Sequence, residues 1–146
     1  MPSIFDIQSI GQLYCESKDR ELSRTWAGKI NPAPKACWAN AIKLLKKSRD
    51  SNLRYVEGFA KLPHFGNLVI EHGWVQTLEG TIIDPTLIDD EAEYFPGITY
   101  TLPEVLAQGR RSPPYVWGGK NGWGGFGNTA YKAAHDRAWG DWFAPK

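Results

Sequence analysis

Basic side chains are missing from the middle of this chain. Between Leu62 and Gly109 there is no lysine or arginine, yet Glu71, Glu79, Asp84, Asp89, Asp90, Glu91, Glu93 and Glu104 all fall there. The preceding segment KLLKKSRDSNLR is basic, and the net charge is only +1. A chain this close to neutral has no global field of the kind that gathers nucleic acid, so no nucleic-acid partner is expected. The asymmetry has two readings. One is a solvated basic helix face beside a solvated acidic loop. The other is an acidic edge, IDDEAE, on a cleft that prefers cationic substrates.

Cysteine is scarce too, with only Cys15 and Cys37. A secreted disulfide scaffold carries more, so free thiols in a reducing cytoplasm are expected. The three histidines are far apart and none stands at ligand spacing from a cysteine. No zinc motif is present, and neither a metal nor a cofactor is expected. No apolar run approaches membrane-spanning length. The opening MPSIFDIQSIGQ has no basic start followed by an apolar stretch, so neither a signal peptide nor membrane association is expected. The glycine-rich GGKNGWGGFG lacks the Gly-Lys-Ser/Thr ending of a phosphate loop.

Turn formers and aromatics are plentiful instead. Fifteen glycines and ten prolines imply many turns and modest helix content. Seven Trp, six Tyr and six Phe supply the apolar area for a core. The 146 residues, 42% hydrophobic and 23% charged, suit one globular domain spanning 1–146.

Apolar residues at Ile4, Ile7, Ile10, Leu13 and Tyr14 predict a helix over 4–24, with Cys15 as a half-buried thiol. WAGKINPAPK should end it. A second helix is predicted over 36–47, with Pro34 at its approach and Trp38, Ala41, Ile42 and Leu45 on its buried stripe. LRYVEGFAKL, NLVIEHGWVQTL and GTIIDPT read as three strands, and PHFG as a turn between the first two. IDDEAEYFPG reads as a loop. TLPEVLAQG reads as a short helix capped by Thr101, with Glu104 three residues on and Gly109 as its stop. A Gly/Trp-rich loop follows, then a last helix, NTAYKAAHDRAWGDWF, capped by Asn128. This order predicts an α+β fold with a small antiparallel sheet.

The pattern places three chemically useful groups together. Cys37 falls in the first turn of the second helix, where free N–H groups and the positive dipole end favour anions. His72 lies on one arm of a hairpin and Asp84 at the end of the other. An imidazole can take a thiol proton, and a carboxylate accepting its other N–H orients it. Register decides whether they meet. Side chains alternate along a strand, so His72, Trp74 and Gln76 share a face. A two-residue turn at Glu79-Gly80 would set Asp84 opposite Val75 and face it away from His72. A three-residue loop, Leu78-Glu79-Gly80, sets Asp84 opposite Trp74 on His72's face, and it wants a left-handed residue where Gly80 stands; the triad needs this loop or a bulge. Each group also has a plainer reading: Cys37 a small buried hydrophobe, His72 a hydrogen-bonded strand histidine, Asp84 a turn residue before Pro85.

ACWANAIKLL, RYVEGFA, EHGWVQ and IIDPT, in this order and spacing, resemble the core of the transglutaminase-like branch of the papain-like cysteine protease superfamily. The resemblance covers residues 36–86. It implies a nucleophile helix packed on a small antiparallel sheet, with Cys37 as nucleophile, His72 as base and Asp84 as orienting acid. It implies an oxyanion site at the Cys37 backbone N–H, to which papain-like enzymes add a polar side chain a few residues upstream. Asn31 is the candidate for that side chain, and it reads equally as a loop residue before Pro32. Glycine follows His72 where alanine is common, the His-to-Asp separation is short, and the chain is compact for the superfamily. Most tryptophans should be core. Trp38, Trp74, Trp117 and Trp123 are the candidates for lining a substrate groove. His64 and His135 are expected to be structural or exposed.

The expected function is cysteine-dependent acyl transfer on a peptide, protein or small amide substrate, with peptide or isopeptide hydrolysis ahead of deamidation or transglutamination. The alternative is a non-catalytic binding protein using the same cleft. Small phage and bacterial proteins use this core, so an accessory role in a microbe or virus is a further expectation, by association.

Overall fold

A computed structural model describes residues 17–118 and 125–140. Cys15, Trp123, Trp142 and the first part of the predicted 4–24 helix lie outside the described residues. Among the described residues, four α-helices and a four-stranded sheet form an α+β arrangement. Strands β1 (Leu53–Leu62), β2 (Leu68–Thr77), β3 (Ile82–Ile83) and β4 (Glu93–Tyr100) are ordered β3-β2-β1-β4. Every pairing is antiparallel. Among the described residues no helix is long and apolar enough to cross a membrane.

Helix α1 spans Arg20–Ile30, so the described part of the predicted 4–24 helix is corrected: its end moves from residue 24 to Ile30. Residues 17–19 are not helical. Asp19 caps the start, its carboxylate accepting from the Leu22 N–H at 2.9 Å. The helix then runs through Trp26-Ala27-Gly28, which was expected to break it. Gly28 costs about 1 kcal/mol in a helix, but Ala27 and Ile30 bury against the core and outweigh it. The stop comes at Asn31, which is left-handed at φ 51° and is followed by proline.

Helix α2 (Cys37–Ser48) matches its prediction within a residue. It packs on one face of the sheet, where Ala41, Leu44 and Leu45 meet Tyr55, Val75 and Ile83. Helix α3 (Leu102–Leu106) carries the predicted capping box between Thr101 and Glu104. Helix α4 (Thr129–Trp139), capped by Asn128, packs on the same face over β1 and β4. There Tyr131, Ala134 and Ala138 cover Phe59 and Phe95. The opposite face carries Val56, Ala60, Trp74 and Tyr94, covered by Leu87 and Ala92 of the β3–β4 connection.

The IDDEAEYFPG loop is corrected in part: β4 begins within it, at Glu93. Five acids between Asp84 and Glu93 and the Pro96-Gly97 pair hide the alternation of Tyr94, Phe95, Ile98 and Tyr100. Pro96 is tolerated because β4 ends the strand order and the ladder shifts register there, opposite Glu57/Gly58.

Candidate active site

The hairpin between β2 and β3 sets the site. Val75 pairs Ile83 and Gln76 pairs Ile82. The Thr77 N–H bonds Thr81 O at 2.9 Å and the Gly80 N–H bonds Thr77 O at 3.0 Å. The loop is therefore Leu78-Glu79-Gly80, with Gly80 at φ 97°. Asp84 follows in register opposite Trp74, on the face that His72 shares. His72 Nε2 and Asp84 Oδ2 are 2.7 Å apart, with side chains 3% and 0% exposed.

Burying two ionisable groups is unfavourable unless each is paired and its remaining hydrogen-bonding sites are filled. Asp84 meets that condition. Its Oδ1 accepts from the backbone N–H groups of Thr86 (2.9 Å) and Leu87 (3.2 Å), closing a turn across Pro85. Its Oδ2 accepts from His72 and from the Tyr94 hydroxyl at 2.6 Å. Burial pushes the Asp84 carboxyl up, but the His72 charge and these hydrogen bonds outweigh it and hold it below the ordinary carboxylate range. Burial likewise pushes the His72 imidazole down, and the Asp84 pair together with the Cys37 thiol raises it well above the ordinary histidine value. An ionised carboxylate can only accept, so Nε2 carries the proton and Nδ1 is left for the thiol.

Cys37 comes from the other face of the sheet. Among the described residues β3 pairs β2 only near the loop, so the β2 edge beside His72 has no strand neighbour. Past that edge the start of α2 brings Cys37 to the His72 side of the sheet, where the thiol helps to hold the imidazole above its ordinary range. No side chain caps α2, which leaves its first-turn N–H groups unclaimed by a cap. Gly73 allows the approach. A Cβ there would stand 2.5 Å from Trp38 Cδ1, which gives the glycine after His72 a packing reason.

Four surrounding residues were not singled out from the sequence. Tyr94 was hidden in the presumed loop. Lys18 is buried at 6% exposure, bonding Asp90 O and, at 3.4 Å, the Tyr94 hydroxyl. Desolvation lowers its pKa, against the opposing pull of Asp84. Ser23 Oγ accepts the Asp84 N–H at 2.9 Å. Asn40 is the one with a readable signal, an amide inside the apolar stripe of α2. Its Oδ1 accepts from the Ala33 N–H (2.9 Å), and its Nδ2 donates to Ala33 O (2.8 Å) and Thr86 Oγ1 (2.9 Å). It ties the segment leading into Cys37 to the segment leaving Asp84.

The other sequence candidates are placed as follows. Asn31 is exposed at the end of α1, and among the described residues its side chain makes no hydrogen bond. Trp74, expected at a groove, is instead fully buried behind His72, with Nε1 on Gln76 Oε1 at 3.0 Å and its ring against Tyr94. Trp38 is partly buried, and its Nε1 is buried without a hydrogen-bond partner. Trp117 is exposed and donates Nε1 to Glu71. Trp123 lies outside the described residues. His64 pairs with Glu91 at the surface, and His135 packs among Phe59 and Phe126. Among the described residues no group of three or more His, Cys, Asp or Glu is placed to hold a metal ion. Compared with protein-family models, curated proteins and solved structures, the chain matches none.

Proposed function

We propose that this chain is a cysteine-dependent acyl-transfer enzyme built on a papain-like, transglutaminase-like core, with Cys37, His72 and Asp84 as its triad. The observation that carries the reading is the buried His72–Asp84 pair at 2.7 Å, with the Cys37 thiol acting on the same imidazole. Cys37 passes its proton to His72 Nδ1, and the thiolate attacks an amide carbonyl. The tetrahedral oxyanion is met by the Cys37 backbone N–H. The carbon–nitrogen bond breaks, the amine leaves with the proton from the imidazolium, and a thioester remains on Sγ. Water then releases the acid, regenerating the thiol. Peptide or isopeptide hydrolysis is the leading form. Replacement of water by an amine gives transglutamination, and a primary amide substrate gives deamidation.

The test is iodoacetamide alkylation of Cys37 and Cys15, read separately by peptide mass spectrometry across the acid-to-alkaline range. Cys37 should react at lower pH than Cys15, and His72→Ala should abolish that advantage. A second reading, a binding protein that retains the network for structure, is favoured by the burial of Cys37, which is 7% exposed. That reading expects Cys37 to be inert in the folded state, irrespective of His72.

A further inference from the structure

Glu71 is a carboxylate that is exposed yet held in place. It precedes His72 on β2 and lies on the opposite face, the one that carries α2 and α4. Its Oε2 accepts from Trp117 Nε1 at 2.5 Å and from the Tyr131 hydroxyl, donors contributed by two distant segments. Its Oε1 has no hydrogen-bond partner among the described residues. No Lys, Arg or His among them pairs with it. Beside it stands an aromatic wall. Trp117 and Phe126 are each 45% exposed and meet edge to face at 5.6 Å. Both rest on Tyr131, at 6.0 and 6.2 Å. Exposed aromatics this close to an unneutralised carboxylate are not explained by core packing.

The location ties the feature to the thiol. Glu71 and Gly73 project from the same face of β2, two residues and so about 7 Å apart. Trp38, the neighbour of Cys37, lies against Gly73. The carboxylate thus stands two positions along β2 from the glycine against which the neighbour of Cys37 packs.

The geometry points to a subsite for an alkylammonium side chain of the substrate, a lysine-type group bound by Glu71 Oε1 with its stem along Trp117 and Phe126. This rests on the acyl-transfer reading above and names the substrate class for it. An ammonium is a compact donor that needs one acceptor oxygen and is attracted to aromatic faces. A guanidinium fork matches both oxygens of a carboxylate, and here Oε2 already accepts twice. Asp89 and Glu91 of the β3–β4 connection are paired with Arg24 and His64, whereas Glu71 has no such cation among the described residues.

The test uses short peptidyl chloromethyl ketones that carry lysine or its uncharged isostere norleucine at each position in turn. Labelling of Cys37 is followed by mass spectrometry, and each rate is divided by the same variant's iodoacetamide rate. In the wild type, lysine should exceed norleucine at one position by about tenfold, the scale of a charge-assisted contact with a cation–π contribution. The ratio should fall to near one in Glu71→Gln and drop partway in Trp117→Ala. A ratio near one at every position in the wild type, or a lysine preference that survives Glu71→Gln, overturns the subsite. Iodoacetamide reports the nucleophile independently of any side chain. If it shows no His72-dependent alkylation, the enzyme reading fails, and the subsite is then decided by binding. Titration with n-butylamine against n-butanol, read by tryptophan fluorescence, should show saturable amine binding that Glu71→Gln removes. No binding, or an equal response to both compounds, overturns it.

Discussion

Tyr94→Phe isolates one hydrogen bond to a buried charge. The hydroxyl lies 2.6 Å from Asp84 Oδ2, and both residues are 0% exposed. The phenyl ring stays, so its contacts with Trp74 and the core of that face are kept and no cavity larger than an oxygen forms. What is lost is one of the four acceptor contacts that hold an ionised carboxylate out of water, together with the long contact to Lys18. A hydrogen bond to a buried charged group contributes about 1.5–3 kcal/mol. The expected loss at neutral pH is therefore about 2 kcal/mol, read from urea unfolding as a lower midpoint at unchanged slope. The pH dependence supplies the discriminating sign. Asp84 is depressed in the fold, so its contribution is present above the unfolded carboxyl value of about 3.9 and is lost as pH falls through the folded value. The penalty of Tyr94→Phe should accordingly shrink in acid, where Asp84 is protonated in both proteins. A variant within about 0.5 kcal/mol of wild type at neutral pH, or a penalty indifferent to acid, would refute the claim that Tyr94 stabilises an ionised Asp84.

Gly73→Ala should destabilise the fold by about 1–3 kcal/mol through overpacking and slow Cys37 alkylation, because Trp38 must move and Cys37 is its neighbour; unchanged thermal unfolding and alkylation would count against the contact. Asn40→Ala removes three hydrogen bonds and leaves the Ala33 N–H without its partner, while the Ala33 carbonyl keeps the Ala36 N–H, at a cost of about 2–3 kcal/mol by denaturant unfolding. His72 is raised in the fold, so its contribution is complete below the unfolded value of about 6.5 and declines as pH climbs toward the folded value. Stability measured by urea across the neutral-to-alkaline range should fall with that slope in the wild type, and the slope should be absent in His72→Phe.

The parts of the site that the sequence made legible are those governed by local periodicity. Alternation along EHGWVQ and a glycine at the last loop position were enough to define which register would join His72 to Asp84. The second helix was legible because its stripe and its proline approach agree. Long-range burial governed the rest. Residues 26–30 carry local break signals, yet Ala27 and Ile30 have a core to fill. The strand bearing Tyr94 is broken up by acids and by Pro96, which only a position at the end of the strand order and a register shift make acceptable. Trp74 was assigned to a groove by residue type, whereas its face is roofed by the β3–β4 connection, which no local pattern announces.

Hairpin tips are where chain length ordinarily drifts at little cost, since they face solvent and bear no packing. The tip at Leu78–Gly80 is exposed or partly so, but it does not share that freedom. One residue more or fewer between Thr77 and Thr81 would turn the strand that follows by half its period, sending Ile83 to the polar pair's side and Asp84 toward α2. A carboxylate made for an imidazole would then face leucines. The surface loop is thus held to a fixed length by a charge it never touches, and lineages of this chain should tolerate changes in its residues while rejecting changes in their number.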